Sequence, residues 1–342
     1  MAEWIDLRSD TVTRPSKEML ETMMNAPLGD DVFGEDPSVA ELEAYAAGLF
    51  GKEAGLFCPS GTMTNQIAIK VHTQPGDEVI CDVNSHIYNY EGGGLAVNAG
   101  VQAKLLKGEE GRLSAALIEP AIHDDLDWLT RTSLVSLENT VNRAGGSYYT
   151  VAQTEPVRAL CEARGLKLHL DGARIFNALA ETGDSPAETG RCFHSVSVCL
   201  SKGLGAPAGS VLLGDSDFIK QARRVRKVLG GGMRQSGILA AAGLYALKNN
   251  VTRLKEDHAR ARQLEAALRQ LPYVESVLPV YTNIVIFNLR QSSLSGAAFE
   301  RQLGEQGLRV SSFGRQTIRL VTHLDYTDEM LGKTLLALKT VC

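Results

Sequence analysis

No stretch of this 342-residue chain stays apolar for the roughly 20 residues that a bilayer span requires. The first residues, Met1-Ala2-Glu3-Trp4-Ile5-Asp6, also lack the basic and then apolar form of a signal peptide. A cytoplasmic address is the expectation, with no membrane partner. Cysteines are few and without paired spacing: Cys58, Cys81, Cys161, Cys192, Cys199 and Cys342 fall singly, several inside apolar strands. They read as reduced, buried thiols and not as a disulfide frame or a zinc site. Basic excess is missing too. A net charge of −5 offers no cationic surface for nucleic acid. The one basic cluster, Arg223-Arg224-Val225-Arg226-Lys227, should spread around a helix as a solvated or subunit-contacting face. There is no internal repeat.

What is present is an ordinary soluble composition, 44% hydrophobic and 22% charged, long enough for one large α/β domain and a smaller companion. The alternating run Ser195-Val196-Ser197-Val198-Cys199-Leu200 predicts a short strand that delivers Lys202 into a loop of Gly203, Gly205 and Pro207. A lysine walled by apolar side chains can act as a neutral amine, the form that attacks an aldehyde. Upstream, Leu166 to Leu170 alternates in the same way and ends at Asp171, with Gly172, Ala173 and Arg174 next. Alone, Lys202 reads as a solvated charge and Asp171 as a helix cap. Together, an amine and a carboxylate at neighbouring strand ends are what pyridoxal 5′-phosphate asks of a protein, one to form the Schiff base and the other to keep the pyridine nitrogen protonated.

The remaining elements follow in order. Pro15 opens a helix to about Asn25, and Asp36-Pro37 opens another that Gly51 stops. The acidic loop between them, Gly29 to Pro37, has too few oxygen ligands at close spacing for a metal, and no metal site is expected. Strand Ala54–Cys58, the loop Pro59-Ser60-Gly61-Thr62 and a helix from Met63 to His72 together offer backbone N–H groups to a phosphate, although a plain helix cap looks the same. His86, just past the strand Glu78–Cys81, is placed to stack on a flat ring or to move protons, or is a surface residue. Further strands are expected over 101–106, 133–138 and 209–213, with helices near 114–121 and 155–164, giving a mainly parallel sheet covered on both faces. Gly203 to Ala208 matches a dinucleotide-binding pattern, but a proline and a strand follow where that pattern needs a helix. After helices to about Asn250, a long helix from Val251 leads to a small α+β unit of strands over 274–280, 283–289, 308–313 and 317–322. Within it, Arg319 lies in an apolar strand and needs a partner, either an internal acid or a substrate carboxylate.

These blocks, Asp6 to Pro15, Ser136-Leu137-Glu138-Asn139-Thr140, Leu170 to Asn177, Leu200 to Gly205, Gly230 to Gly237 and Arg319 to Asp325, resemble in order the low-specificity L-threonine aldolases of the fold-type I pyridoxal-phosphate superfamily. The resemblance covers nearly the whole chain. It implies the α/β pyridoxal-phosphate-dependent transferase-like fold, a mainly parallel sheet flanked by helices with a small C-terminal α+β domain. The domains would be an N-terminal segment 1–15 contributing to the site, a large cofactor-binding domain 16–250 and a small domain 251–342. It further implies Lys202 as the Schiff-base lysine, Asp171 as the pyridinium partner and His86 as the imidazole on the ring. Gly61 and Thr62 would hold the phosphate, joined by Arg234 of a neighbouring subunit in a homotetramer built as a dimer of dimers. Ser9, Arg174 and Arg319 would grip the substrate carboxylate, with Arg174 also near the cofactor. Two positions depart from the family: no histidine stands in Asp124-Asp125-Leu126-Asp127-Trp128, where relatives often carry a second one, and Phe33 replaces a frequent tyrosine.

The implied reaction is retro-aldol cleavage of L-threonine or L-allo-threonine, and of other L-β-hydroxy-α-amino acids, to glycine and an aldehyde. Here His86 serves as base or only as a stacking ring. The alternatives are a β-eliminating lyase or an aminotransferase on the same cofactor, or a non-catalytic binding protein.

Overall fold

The computed structural model describes residues 4–292 and 294–341. The chain starts with the two-residue strand β1 (Ile5–Asp6); positions 1–3 of the expected segment 1–15 lie outside the described residues, as does Cys342. A central sheet is assembled from β2 (Ala54–Cys58), β3 (Glu78–Asp82), β4 (Gln102–Leu106), β5 (Thr132–Glu138), β6 (Lys167–Gly172), β7 (Ser195–Cys199) and β8 (Ser210–Gly214). Their order is β2-β8-β7-β6-β5-β3-β4. Only β8 runs against its neighbours, pairing antiparallel with both β2 and β7. The C-terminal ends of β2, β3, β5, β6 and β7 therefore share one edge, where open α/β sheets hold ligands.

Local chemistry sets where the helices begin. Helix α1 (Lys17–Met24) starts two residues later than Pro15 predicts, because the Ser16 hydroxyl accepts the Met19 N–H at 3.2 Å and becomes the cap. Helix α2 (Pro37–Leu49) starts as expected, with the Asp36 carboxylate accepting the N–H groups of Ser38 and Val39. Helix α3 (Gly61–His72) begins two residues early, capped by Ser60.

Both faces of the sheet are covered. On one, Leu168, Leu170, Val196 and Val198 join the largest apolar core with residues of α2 and of helix Gly237–Asn249. On the other, Leu56, Ile67, Leu212 and Phe218 pack α3 and helix Ser216–Val228 over the β2 and β8 side. Burying each such side chain stabilises the fold by about 1.5–3 kcal/mol. Beneath α3 the alternation of β6 and β7 puts polar residues on the covered face: His169, Asp171, Ser195 and Ser197, all buried.

The second sheet, β12-β13-β10-β9, is antiparallel and built from β9 (Val274–Val277), β10 (Ile284–Leu289), β12 (Ser311–Ser312) and β13 (Thr317–Val321). The single strand expected over 308–313 is two, with Val310 between them. Its first part, β11 (Leu308–Arg309), leaves this sheet to pair in parallel with β1. Ile5 and Leu7 thereby enter an apolar core with Leu264, Phe287, Leu308 and Leu320. Among the described residues no helix is long and apolar enough to cross a membrane.

The basic cluster departs from expectation. Arg226 is buried: its guanidinium donates to the Phe57 carbonyl and to Asp31, both at 2.6 Å, and Arg223 reaches Asp31 and Glu43. Two acids under the helix require cations, which the periodicity of the basic run alone does not reveal. Arg226→Ala should leave Asp31 buried without its main partner and cost about 3–5 kcal/mol in urea unfolding. A loss below about 1 kcal/mol, typical of an exposed pair, would contradict this assignment.

Candidate active site

At the shared edge, register brings the carboxylates together. Asp171 of β6 stands opposite Glu138 of β5. One Asp171 oxygen accepts the Ala173 N–H at 3.1 Å and the other accepts Asn65 Nδ2 at 2.9 Å, so α3 reaches the sheet edge directly. Past β3, the His86 N–H donates to Glu138 at 2.7 Å while its ring Nδ1 lies 3.0 Å from Glu91. Glu91 also accepts from Asn65 and Gln66. Polar atoms of His86, Glu91 and Asp171 all lie within 4.8 Å of one another. Lys202, half-buried, follows the end of β7, the strand beside β6. Of the residues expected from the sequence, His86, Asp171 and Lys202 thus lie along one edge of the sheet.

The electrostatics are set by burial against pairing. Burial alone would raise the Asp10 carboxyl, but the Arg174 guanidinium, with Lys202 and Asn283 adding to it, outweighs that and holds it at about 2. Burial, helped by the nearby Asp171 charge, pushes Glu138 up to about 7. For His86, burial disfavours the cation, yet the Glu91 hydrogen bond and the charges of Asp171, Glu91 and Glu138 together raise it above the ordinary imidazole value. Arg319 falls to about 10, through burial and then the like charge of Arg174.

Not every expected ligand is free. Arg174 engages Asp10 through Nε and Nη2, at 2.7 and 2.6 Å, and its Nη1 approaches Asn142 Oδ1 at 3.4 Å, so three of its five N–H groups have these partners. Arg319 differs. Its Nη1 donates to Asn142 Oδ1 at 2.8 Å and its Nη2 to the Arg8 carbonyl at 2.9 Å, while its buried Nε has no partner among the described residues. Ser9 adjoins that carbonyl and caps the short turn Asp10–Val12 by accepting the Thr11 N–H. Phe313 lies under the Arg319 guanidinium, 4.2 Å from carbon to ring centroid.

Gly61 and Thr62 form the first turn of α3, at the end of β2 and on the same edge. A Cβ on Gly61 would meet Ser210 Oγ at 3.4 Å, and that buried hydroxyl has no partner among the described residues. Arg234 is apart from this group: it is exposed, pairs with Asp30 at 2.9 Å and stacks over Phe33, itself 72% exposed. The segment 124–128 and His123 precede β5, so the length of that strand, about 20 Å, separates them from Asp171 of the same chain.

Sequence reasoning missed Asp10, Asn65, Glu91, Glu138 and Asn142 as site residues. Asp10 and Glu138 sit within blocks that carry the family resemblance, which is the signal that marks them. Asn65 has none, since only the packing of α3 brings it to Asp171, and Glu91, five residues past His86, lies in a segment read only for its histidine.

A family model described as beta-eliminating lyase matches residues 6–292. The low-specificity L-threonine aldolase 1 of Arabidopsis thaliana is 43% identical over 337 residues, covering 97% of this chain and 94% of that protein. The low specificity L-threonine aldolase of Escherichia coli is 44% identical over 330 residues, covering 96% of each. Among solved structures, a threonine aldolase of Leishmania major superposes with a TM-score of 0.84 at 23% identity, over 98% of both chains, a likeness of fold. With such identity sustained from end to end, the chain belongs to the low-specificity L-threonine aldolase family within the beta-eliminating lyases.

Proposed function

We propose that this chain cleaves L-threonine and L-allo-threonine, and other L-β-hydroxy-α-amino acids, to glycine and an aldehyde with pyridoxal 5′-phosphate as cofactor. The observation that carries this reading is the near full-length likeness to L-threonine aldolases, in a chain whose Lys202, Asp171 and His86 lie at one sheet edge. The residues suit the cofactor. Asp171 keeps acceptor capacity beyond Asn65 and Ala173 for a pyridine N–H. The first turn of α3, with Gly61, Thr62 and the unpartnered Ser210 hydroxyl, suits a phosphate. Bound through Lys202, the cofactor supplies an electron sink for the bond that breaks.

The chain's own residues supply the rest. Arg319, whose buried Nε has no partner among the described residues, holds the substrate carboxylate, and Ser9 lies next to that grip. Holding the carboxylate orients the Cα–Cβ bond, and orientation chooses which bond breaks. Glu91 engages His86 Nδ1, leaving Nε2 to take the β-hydroxyl proton directly or through a water; ring stacking is its other role. Arg174 acts by locking Asp10 beside Lys202.

The same proposal includes a homotetramer built as a dimer of dimers, in which exposed Arg234 serves the phosphate of a neighbouring copy. It also includes the division into 1–15, 16–250 and 251–342, a cytoplasmic location and no nucleic-acid partner.

Three outcomes test the reading. Lys202→Ala should abolish acetaldehyde release from L-threonine while circular dichroism stays native; retained turnover would remove Lys202 from the mechanism. Arg319→Lys keeps a charge but loses the planar fork, and should lower kcat/KM roughly 10- to 100-fold. An unchanged KM and kcat would place the carboxylate elsewhere. Finally, Asp10 is depressed to about 2 in the fold, below its unfolded value near 3.8. Its contribution, of the order of 2 kcal/mol, is therefore present above about pH 4 and lost as pH falls toward 2. Asp10→Asn should lower stability at neutral pH and flatten that acid limb in denaturation curves. Parallel wild-type and variant curves would refute the Asp10–Arg174 assignment.

A further inference from the structure

Under α3, the polar face of β6 and β7 carries a continuous row of hydrogen bonds that the reaction above does not use. Asn65 Nδ2 contacts Asp171 Oδ2 and Glu91 Oε1, both at 2.9 Å. Asn65 Oδ1 lies 3.1 Å from His169 Nε2, and His169 Nδ1 lies 2.8 Å from Ser195 Oγ. Ser195 Oγ lies 2.8 Å from Nε2 of His72, the last residue of α3, at the opposite end of the strands from Asp171. Asn65, His169, Asp171 and Ser195 are buried, and His72 is half-buried with its ring stacked on Phe218.

Proton direction along this row follows from its two carboxylates. Both are acceptors, so the Asn65 amide must turn its NH2 toward them and its oxygen toward His169. That oxygen can only accept, so His169 carries its proton on Nε2. Burial holds the His169 imidazole near 4, hence neutral at physiological pH, and its Nδ1 is bare. Ser195 must then donate to Nδ1 and, having one proton, accept from His72 Nε2–H. Every donor in the row points toward Asp171.

We propose that His72, Ser195 and His169 are positioning residues that fix Asn65 as a donor to Asp171, and through it tune how that carboxylate holds the cofactor's pyridine nitrogen. The inference rests on pyridoxal phosphate binding as proposed above. Aligned donors polarise one another, so the bond reaching Asp171 is stronger than an isolated amide bond.

The test uses Ser195→Ala, which removes the central hydroxyl, and Ser195→Thr, which keeps it. Solid-state NMR of 15N-histidine-labelled protein should find wild-type His169 protonated at Nε2 alone between about pH 5.5 and 8. In Ser195→Ala the Nε2 proton should stay, held by Asn65 Oδ1, while the bare Nδ1 loses its donor and its 15N signal moves downfield. The pH midpoint of the visible cofactor band should shift by about half a unit or more, and kcat should fall roughly tenfold with KM within about twofold. Ser195→Thr should restore all three. Wild-type His169 protonated at Nδ1 would overturn the proposal, as would a shifted Nδ1 signal that leaves the cofactor band and kcat as in wild type. Wild-type protein that takes up no pyridoxal phosphate would overturn the functional reading along with it. Failure of the row alone leaves the wild-type band intact.

Discussion

One buried ion pair ties the site together. Asp10 arrives from the N-terminal segment, Arg174 from the turn after β6, and Asn283 from the start of the second sheet, and all three meet at a carboxylate with no exposure to water. A carboxylate so placed is costly without partners, and removing one partner leaves a buried charge. The pair therefore couples three distant parts of the chain. Because Lys202 adds to the field on Asp10, the same contact fixes the surroundings of the amine. The N-terminal strand, which by length alone resembles a loose tail, is held from two sides: by this charge and by the insertion of Ile5 and Leu7 into a core.

Much of the arrangement was legible in the residues. Alternation in β6 and β7, with glycines after each, located Asp171 and Lys202 at neighbouring strand ends, and parallel pairing puts them there. Helix starts were legible to within two residues; the hydroxyls of Ser16 and Ser60, folding back onto the Met19 and Met63 N–H groups, fix the true first turns. The sheet was expected to be covered on both faces; what stayed hidden was which element lies over the polar side of Ser-Val-Ser-Val and Leu-His-Leu-Asp. Here both faces are covered, and the polar face lies under α3 with its groups satisfied by one another. Periodicity gives the spacing of a face, not what covers it. For the same reason Arg226 looked solvated, and the Asp10 partner of Arg174 was not visible in the sequence.

The contrast between the two arginines is instructive. Both are buried cations near one asparagine, yet only Arg319 retains an unpartnered nitrogen. It belongs to the second sheet, while Asn142 follows β5 of the first, so this contact forms only when the two sheets are assembled. Residues 142, 319 and 8 are far apart in the chain, and no local motif encodes their meeting.

The single reversed strand sets a path. Because β8 is inserted between β2 and β7, α3 has to cross both before its Asn65 reaches Asp171 at the end of β6. Thr64 marks the crossing, its hydroxyl 2.6 Å from Ser197 Oγ of β7. The helix is therefore a strut laid over the strand ends, and inserting or deleting one residue in its first turn would carry the amide off the carboxylate while leaving the strands themselves paired.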